Sequence, residues 1–113
     1  MGIEAFKALR AWRSLVLKAL DVIHSLYETR CVYVFGSIVR GEATGASDID
    51  ILVVLDDDTD SREAYTRIAL GLEEALGYKA TLIDLHITVK KQAKNPPYTW
   101  WLKHSLKICL NNE

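Results

Sequence analysis

Two aspartates, Asp48 and Asp50, stand one residue apart where the polar segment "GASD" meets the apolar run "ILVVL". Side chains two residues apart in a strand point to the same side, so both carboxylates would share one face. Like charges that close repel each other unless a cation lies between them. Magnesium prefers such oxygen ligands and completes its shell with water and substrate phosphates. The pair therefore indicates a metal site, although Asp-x-Asp alone also arises by chance or in sugar-nucleotide transferases.

A third carboxylate, Asp84, lies in the middle of the alternating segment "ATLIDLHITV". A buried aspartate without a partner is costly, so its position within a strand calls for an explanation. If this strand lies close to the one that Asp48 and Asp50 open, three carboxylates converge and can hold two cations, as in phosphoryl displacement. His86 shares the polar face, where it either assists the acids or simply fills space.

A glycine-serine turn precedes the aspartate pair. Gly36 allows tight backbone geometry and the close approach of a ligand. If Ser37 begins a short helix, its amide and hydroxyl can hold a phosphate, and Arg40 can add positive charge one turn later. On its own, Gly-Ser is more typical of an ordinary turn.

The elements that must position these residues follow from periodicity. Apolar residues at helical spacing predict a first helix over 3–28, with Trp12 in the core. Strands are predicted at 31–35, 49–55 and 80–89, and a short helical turn at 38–40. Asp60 begins a further helix that ends at Gly77, and the Pro96–Pro97 pair opens a C-terminal helix over "YTWWLKHSLKICL". This order indicates an α+β layered fold with a small mixed sheet of at least three strands.

The length, net charge and cysteine content limit the possible functions. The 113 residues suit one domain, 1–113, and the net charge of -1, from 14 basic and 15 acidic residues, argues against binding an extended nucleic acid. The charged N-terminus predicts neither a signal peptide nor a membrane span, so we expect a cytoplasmic protein. Cys31 and Cys109 lie in apolar contexts and are expected to be buried thiols, without a disulfide or zinc.

The glycine-serine turn and the aspartate pair together form a more specific motif than either does alone. Ten residues separate Ser37 from Asp48, which gives Gly-Ser-x10-Asp-x-Asp. The stretch "FGSIVRGEATGASDIDILVV", which includes Arg40 and Ser47, resembles the main motif of the minimal nucleotidyltransferases in the polymerase-beta-like nucleotidyltransferase superfamily. "LIDLHI" matches the position of the family's third acid, and "NPPYTWWLKHSLKICL" resembles its C-terminal stretch.

The resemblance implies ATP as substrate, two magnesium ions and the polymerase-beta-like fold. It assigns the β- and γ-phosphates to Gly36 and Ser37, and the metals to Asp48, Asp50 and Asp84. Asp84 would also help to deprotonate an acceptor hydroxyl, which attacks the α-phosphate. Arg40 and Ser47 would complete the nucleotide site.

The acceptor is expected to come from a partner, because the chain is little longer than the family's catalytic core. The resemblance implies a HEPN-domain toxin whose tyrosine receives AMP, in a type VII-like toxin–antitoxin pair, with homo- or hetero-oligomers open. The alternatives are a non-catalytic antitoxin that acts by complexation, and nucleotidyl transfer to a small molecule such as an aminoglycoside. The intact acids argue against the first, and the short chain against the second.

Two side-chain groups allow opposite interpretations. Tyr98, Trp100 and Trp101 either contact a partner or pack the last helix on the sheet, and the second is favoured for at least two of them. Lys90, Lys91 and Lys94 either meet phosphates or an acidic partner, or belong to a solvated loop, which is favoured.

Overall fold

The computed structural model describes residues 11–42 and 48–110. We number the helices and strands in chain order. They are α1 (Trp12–Leu26), β1 (Cys31–Phe35), α2 (Ser37–Arg40), β2 (Ile49–Leu55), α3 (Ser61–Leu76), β3 (Ile83–Val89), α4 (Tyr98–Lys103) and β4 (Leu106–Cys109). Short 3-10 turns lie at Gly77–Leu82 and Gln92–Lys94.

The four strands form one mixed sheet in the order β3-β2-β1-β4. β1 is antiparallel to both of its neighbours, whereas β2 and β3 run parallel. The predicted mixed sheet of an α+β layered fold is thereby confirmed, with one strand more than the sequence indicated.

The core lies between one face of this sheet and the helices α1 and α3. The alternate residues of β1 and β2 that face the helices are buried, since their β-branched and leucine side chains fill this layer. The helices contribute their predicted apolar stripes, which include Val16, Leu20 and Ile23 of α1 and Ala64, Ile68 and Leu72 of α3. Trp12 packs against this core, as expected.

The helix boundaries agree with the sequence signals at several points. Asp60 caps α3, because its carboxylate accepts hydrogen bonds from the amides of Arg62 and Glu63 at 3.0 and 3.2 Å. Gly77 ends α3 with φ of 61°. The predicted first helix is confirmed from Trp12 to Leu26, whereas its first residues, 3–10, lie outside the described residues. β3 begins at Ile83 rather than at residue 80, because residues 77–82 close a 3-10 turn in which Thr81 donates its hydroxyl hydrogen to the Tyr78 carbonyl.

The C-terminal helix prediction is wrong beyond Lys103. The amides of His104 and Ser105 close a final turn on Trp101 and Leu102, and the chain then forms β4. This strand pairs with the open edge of β1 and packs Ile108 against the core. Tertiary pairing therefore overrides the helical spacing of this segment.

The expectation of two free cysteine thiols is also wrong. Cys31 and Cys109 lie directly opposite each other in the β1–β4 register and form a disulfide. The predicted C-terminal helix would place Cys109 away from β1, so the sequence does not predict this pairing. The disulfide can form because Cys109 lies in β4 rather than in a helix.

Candidate active site

The register of the sheet brings two of the predicted acids side by side. β2 and β3 run parallel with Asp50 opposite Asp84, and Leu52 opposite His86. Because alternate residues share a face, Asp50, Asp84 and His86 all lie on the face that α1 and α3 leave open. Phe35, the last residue of β1, stands opposite Asp50 on the other side.

The three side chains form a compact donor group. The His86 Nε2 atom lies 3.3 Å from Asp84 Oδ2 and 3.6 Å from Asp50 Oδ1, and one ligand atom from each residue falls within 4.8 Å of the others. The Asp50 side chain is 25% exposed and that of Asp84 is 52% exposed. Carboxylate oxygens and imidazole nitrogens are ligands of divalent cations, so the donor set fits a metal ion.

The Asp50 carboxyl group is largely buried and lies beside a second carboxylate, that of Asp84. Burial raises its pKa above the usual range for an aspartate, and the neighbouring Asp84 carboxylate raises it further. His86 acts in the opposite direction without cancelling the shift. A cation bound between the two carboxylates would attract both of them and remove the repulsion between them.

Asp48 stands one residue before β2 and is exposed. Within the described ranges, the donor group that the structure brings together contains Asp50, Asp84 and His86 but not Asp48. Asp48 remains a predicted metal ligand.

The glycine turn lies directly against Asp50. Gly36 has φ of 86° and ψ of -159°, a region that is essentially restricted to glycine. A Cβ atom at this position would overlap Asp50 Oδ2 and lie 3.3 Å from its Cγ. The turn therefore packs directly against the Asp50 carboxylate, and any side chain at position 36 would displace one of them.

The remaining predicted nucleotide-binding residues have different outcomes. Ser37 is the first residue of α2, so the helix begins one residue before the predicted turn at 38–40. Arg40 directs its Nε atom to Glu42 Oε1 at 3.0 Å, on an exposed surface, so its contact with phosphates stays a prediction. Ser47 lies outside the described residues.

An aromatic cluster supports the His86 ring. Trp101 of α4 stacks on Phe35 at a centroid distance of 4.7 Å, and both rings contact His86, at 4.8 and 5.4 Å respectively. Tyr98 meets Trp101 edge-on at 5.5 Å. Trp101 therefore packs on the sheet and Tyr98 packs on Trp101, while Trp100 is 65% exposed.

A cavity of about 220 Å³ opens beside Asp84. It lies between α3 and the outer edge of β3, where Tyr65, Ala69, Leu72 and Leu85 are among its lining residues. Asp84 also borders this cavity, but the alternation of β3 directs its carboxylate to the opposite face from Leu85.

The lysines after β3 lie away from the acids. Lys90 pairs with Asp56 at 2.9 Å, and the Lys91 amide donates to Asp57 Oδ1 at 2.7 Å. These contacts are at the carboxyl ends of β2 and β3, whereas Asp50 and Asp84 are near the amino ends. Lys90 and Lys91 are therefore not placed to meet phosphates at the acids.

Comparison with known proteins now identifies the family. The model of the nucleotidyltransferase domain family matches residues 16–108. The chain belongs to this family. The match spans the glycine turn, the aspartates and β3, so the family signature and the converging side chains coincide.

Two proteins of Methanocaldococcus jannaschii are similar to this nucleotidyltransferase along most of their length. "Putative protein adenylyltransferase MJ1379" is 34% identical over 80% of this chain and 86% of its own. "Putative protein adenylyltransferase MJ0128" is 29% identical with the same coverage. The predicted membership in the polymerase-beta-like superfamily, and the prediction of an enzyme that transfers nucleotides, are confirmed by these findings.

A solved structure supports the fold independently. A nucleotidyltransferase from Sulfolobus solfataricus, described as putative in its name, superposes with a TM-score of 0.62. The superposition covers 95% of this chain and 87% of the other at 18% identity, so it bears on the fold alone. Across the described part of the nucleotidyltransferase, no helix has the length and apolar character needed to cross a bilayer.

Proposed function

We propose that this nucleotidyltransferase transfers AMP from ATP to a hydroxyl group of a partner protein. The observation that carries the proposal is the side-by-side placement of Asp50 and Asp84, against the Gly36 turn. The two Methanocaldococcus jannaschii relatives, which are named as protein adenylyltransferases, support a protein as the acceptor.

The three aspartates would bind the metal ions. Asp50 and Asp84 would hold Mg²⁺, and Asp48 would complete a site for two ions from its exposed position before β2. Bound divalent cations neutralise the phosphates and stabilise the charge that develops during phosphoryl displacement. Burial and the neighbouring Asp84 carboxylate raise the pKa of Asp50, and a bound cation would stabilise its charged form.

The chain's own groups would position and activate the reactants. The Gly36–Ser37 turn would bind the β- and γ-phosphates, so that the α-phosphorus faces the acids. Asp84, which is half-exposed, would accept the proton of the acceptor hydroxyl. The acceptor oxygen then bonds to the α-phosphorus, the bond from this phosphorus to the oxygen bridging to the β-phosphorus breaks, and pyrophosphate leaves.

The acceptor hydroxyl would reach Asp84 from solvent, because this side chain is half-exposed. The resemblance to the minimal nucleotidyltransferases supports a tyrosine of a HEPN toxin as the acceptor, and a cytoplasmic antitoxin function for the nucleotidyltransferase.

Intact-mass measurement tests the proposal. The protein is incubated with ATP, Mg²⁺ and the HEPN-domain protein encoded beside it, and we expect the partner to gain the mass of AMP. Asp50→Asn and Asp84→Asn should abolish the gain, whereas Asp58→Asn, a change at an exposed acid beyond β2, should preserve it. Silencing of the partner without any mass gain would replace adenylyl transfer with inhibition by complexation.

A further inference from the structure

The Nε2 atom of His86 has an unusual position for a polar atom. It is sealed from solvent, yet it makes no hydrogen bond with the residues that the structure describes. Leaving such an atom unsatisfied costs about 1–3 kcal/mol. It points between Asp50 and Asp84, at 3.6 and 3.3 Å from their nearest oxygens.

The imidazole ring is held in this orientation by its neighbours. Trp101 and Phe35 stack on each other and both contact the ring. Because the side chain is only 27% exposed, turning Nε2 outward would require the aromatic cluster to repack. The nitrogen is therefore directed at the carboxylates by packing as well as by the strand register.

The spacing suits three ligands of a single ion. Donors about 2.1 Å from an octahedral cation lie roughly 3 Å apart when they occupy adjacent positions. The separations of 3.6 and 3.3 Å exceed this spacing by about 0.6 and 0.3 Å, and the three ligand atoms lie within 4.8 Å of one another. Binding one ion therefore requires any two of these donor atoms to approach each other by at most about 1.8 Å.

We propose that His86 is a nitrogen ligand in this site and makes it selective for a transition-metal cation such as Mn²⁺ over Mg²⁺. Mg²⁺ is a hard cation that prefers oxygen, whereas imidazole is a good ligand for first-row transition metals. This inference rests on the proposed metal site but goes beyond it, since the family motif supplies only carboxylates.

Electron spin-echo measurements on the protein with Mn²⁺ alone test this ligand directly. We expect ¹⁴N modulation from a coordinated imidazole, in the absence of nucleotide, whose own nitrogens would confuse the signal. The chain has three histidines. His86→Phe, which keeps a ring in the aromatic cluster, should abolish the modulation, and the matched change His104→Phe, at an exposed position, should preserve it.

Metal affinities separate a ligand from a residue that merely positions Asp84. In His86→Phe we expect Mn²⁺ affinity to fall by at least about 10-fold and Mg²⁺ affinity to change by less than about 3-fold. Equal losses for both ions, or wild-type protein that binds Mn²⁺ without ¹⁴N modulation, would overturn the inference.

The inference and the proposed function can fail separately. Adenylyl transfer with no ¹⁴N modulation would remove His86 from the ligand set but leave the function intact. Modulation without transfer would leave the metal site intact and remove the function. The wild-type spectrum decides the point even if a variant folds poorly.

Discussion

Replacing Gly36 by alanine tests the contact between the glycine turn and Asp50. The new Cβ would overlap Asp50 Oδ2, and contacts that close are essentially never seen for real Cβ atoms. The carboxylate or the turn must therefore move. The backbone at φ of 86° and ψ of -159° adds strain, of about 1–3 kcal/mol for a residue other than glycine.

The functional loss should exceed what strain alone explains. A misplacement of roughly 1 Å in a catalytic arrangement can cost about 100-fold in rate. Displacing Asp50 should also weaken Mn²⁺ binding by at least about 10-fold, which corresponds to about 1.4 kcal/mol. Isothermal titration with Mn²⁺ measures the second effect without any need for the partner protein.

Gly77→Ala is the matched control. Gly77 also has positive φ, at 61° with ψ of -134°, but a Cβ there meets nothing within 4 Å. It should lose comparable stability in urea unfolding and keep Mn²⁺ affinity within about 2-fold. If Gly36→Ala binds Mn²⁺ as well as Gly77→Ala does, the proposed contact between the turn and a metal-binding Asp50 is refuted.

Three further perturbations probe the surroundings of the site. Trp101→Ala removes the ring stacked on Phe35 and should lower the free energy of unfolding by about 2 kcal/mol. Trp100 is exposed, so Trp100→Ala should change this free energy by less than about 0.5 kcal/mol. Equal effects of the two changes would contradict the packing of Trp101 on Phe35. Reduction of the Cys31–Cys109 disulfide, which joins residues 78 apart, should cost about 2–4 kcal/mol, and the double serine variant should not respond to reductant. The raised pKa of Asp50 means that the folded chain holds a proton at pH values where the unfolded chain has already lost it. The free energy of unfolding of the metal-free protein should therefore fall as pH rises from the ordinary aspartate pKa through the raised one. Asp50→Asn should flatten that slope in urea unfolding at a series of pH values, and an unchanged slope would assign it to other groups.

The sequence predicted those parts of the fold that depend on local patterns. The β-branched run of β1, the apolar run of β2 and the Asp60 cap each carry their own signal, and the structure contains all three. The alternation of the third predicted strand puts Asp84 on a polar face, and its convergence with Asp50 is expected if the two strands are neighbours, a condition that the parallel pairing of β2 and β3 meets.

The parts that the sequence could not predict depend on pairing between distant segments. β4 forms because the edge of β1 is available to it, and this pairing also brings Cys109 to Cys31. The sequence allows two interpretations of His86, because its buried Nε2 atom and its aromatic contacts arise only when Phe35 and Trp101 meet around it. The alternation of β3 placed it on the correct face but gave no information about its contacts.

Radiolabel position is the most direct test of nucleotidyl transfer at these acids. With ATP labelled at the α-phosphate, we expect the label to appear on the partner protein, and with γ-labelled ATP we expect it only in released pyrophosphate. Transfer of the γ-label to the partner, or transfer of the α-label by Asp84→Asn at the wild-type rate, would contradict the proposed chemistry.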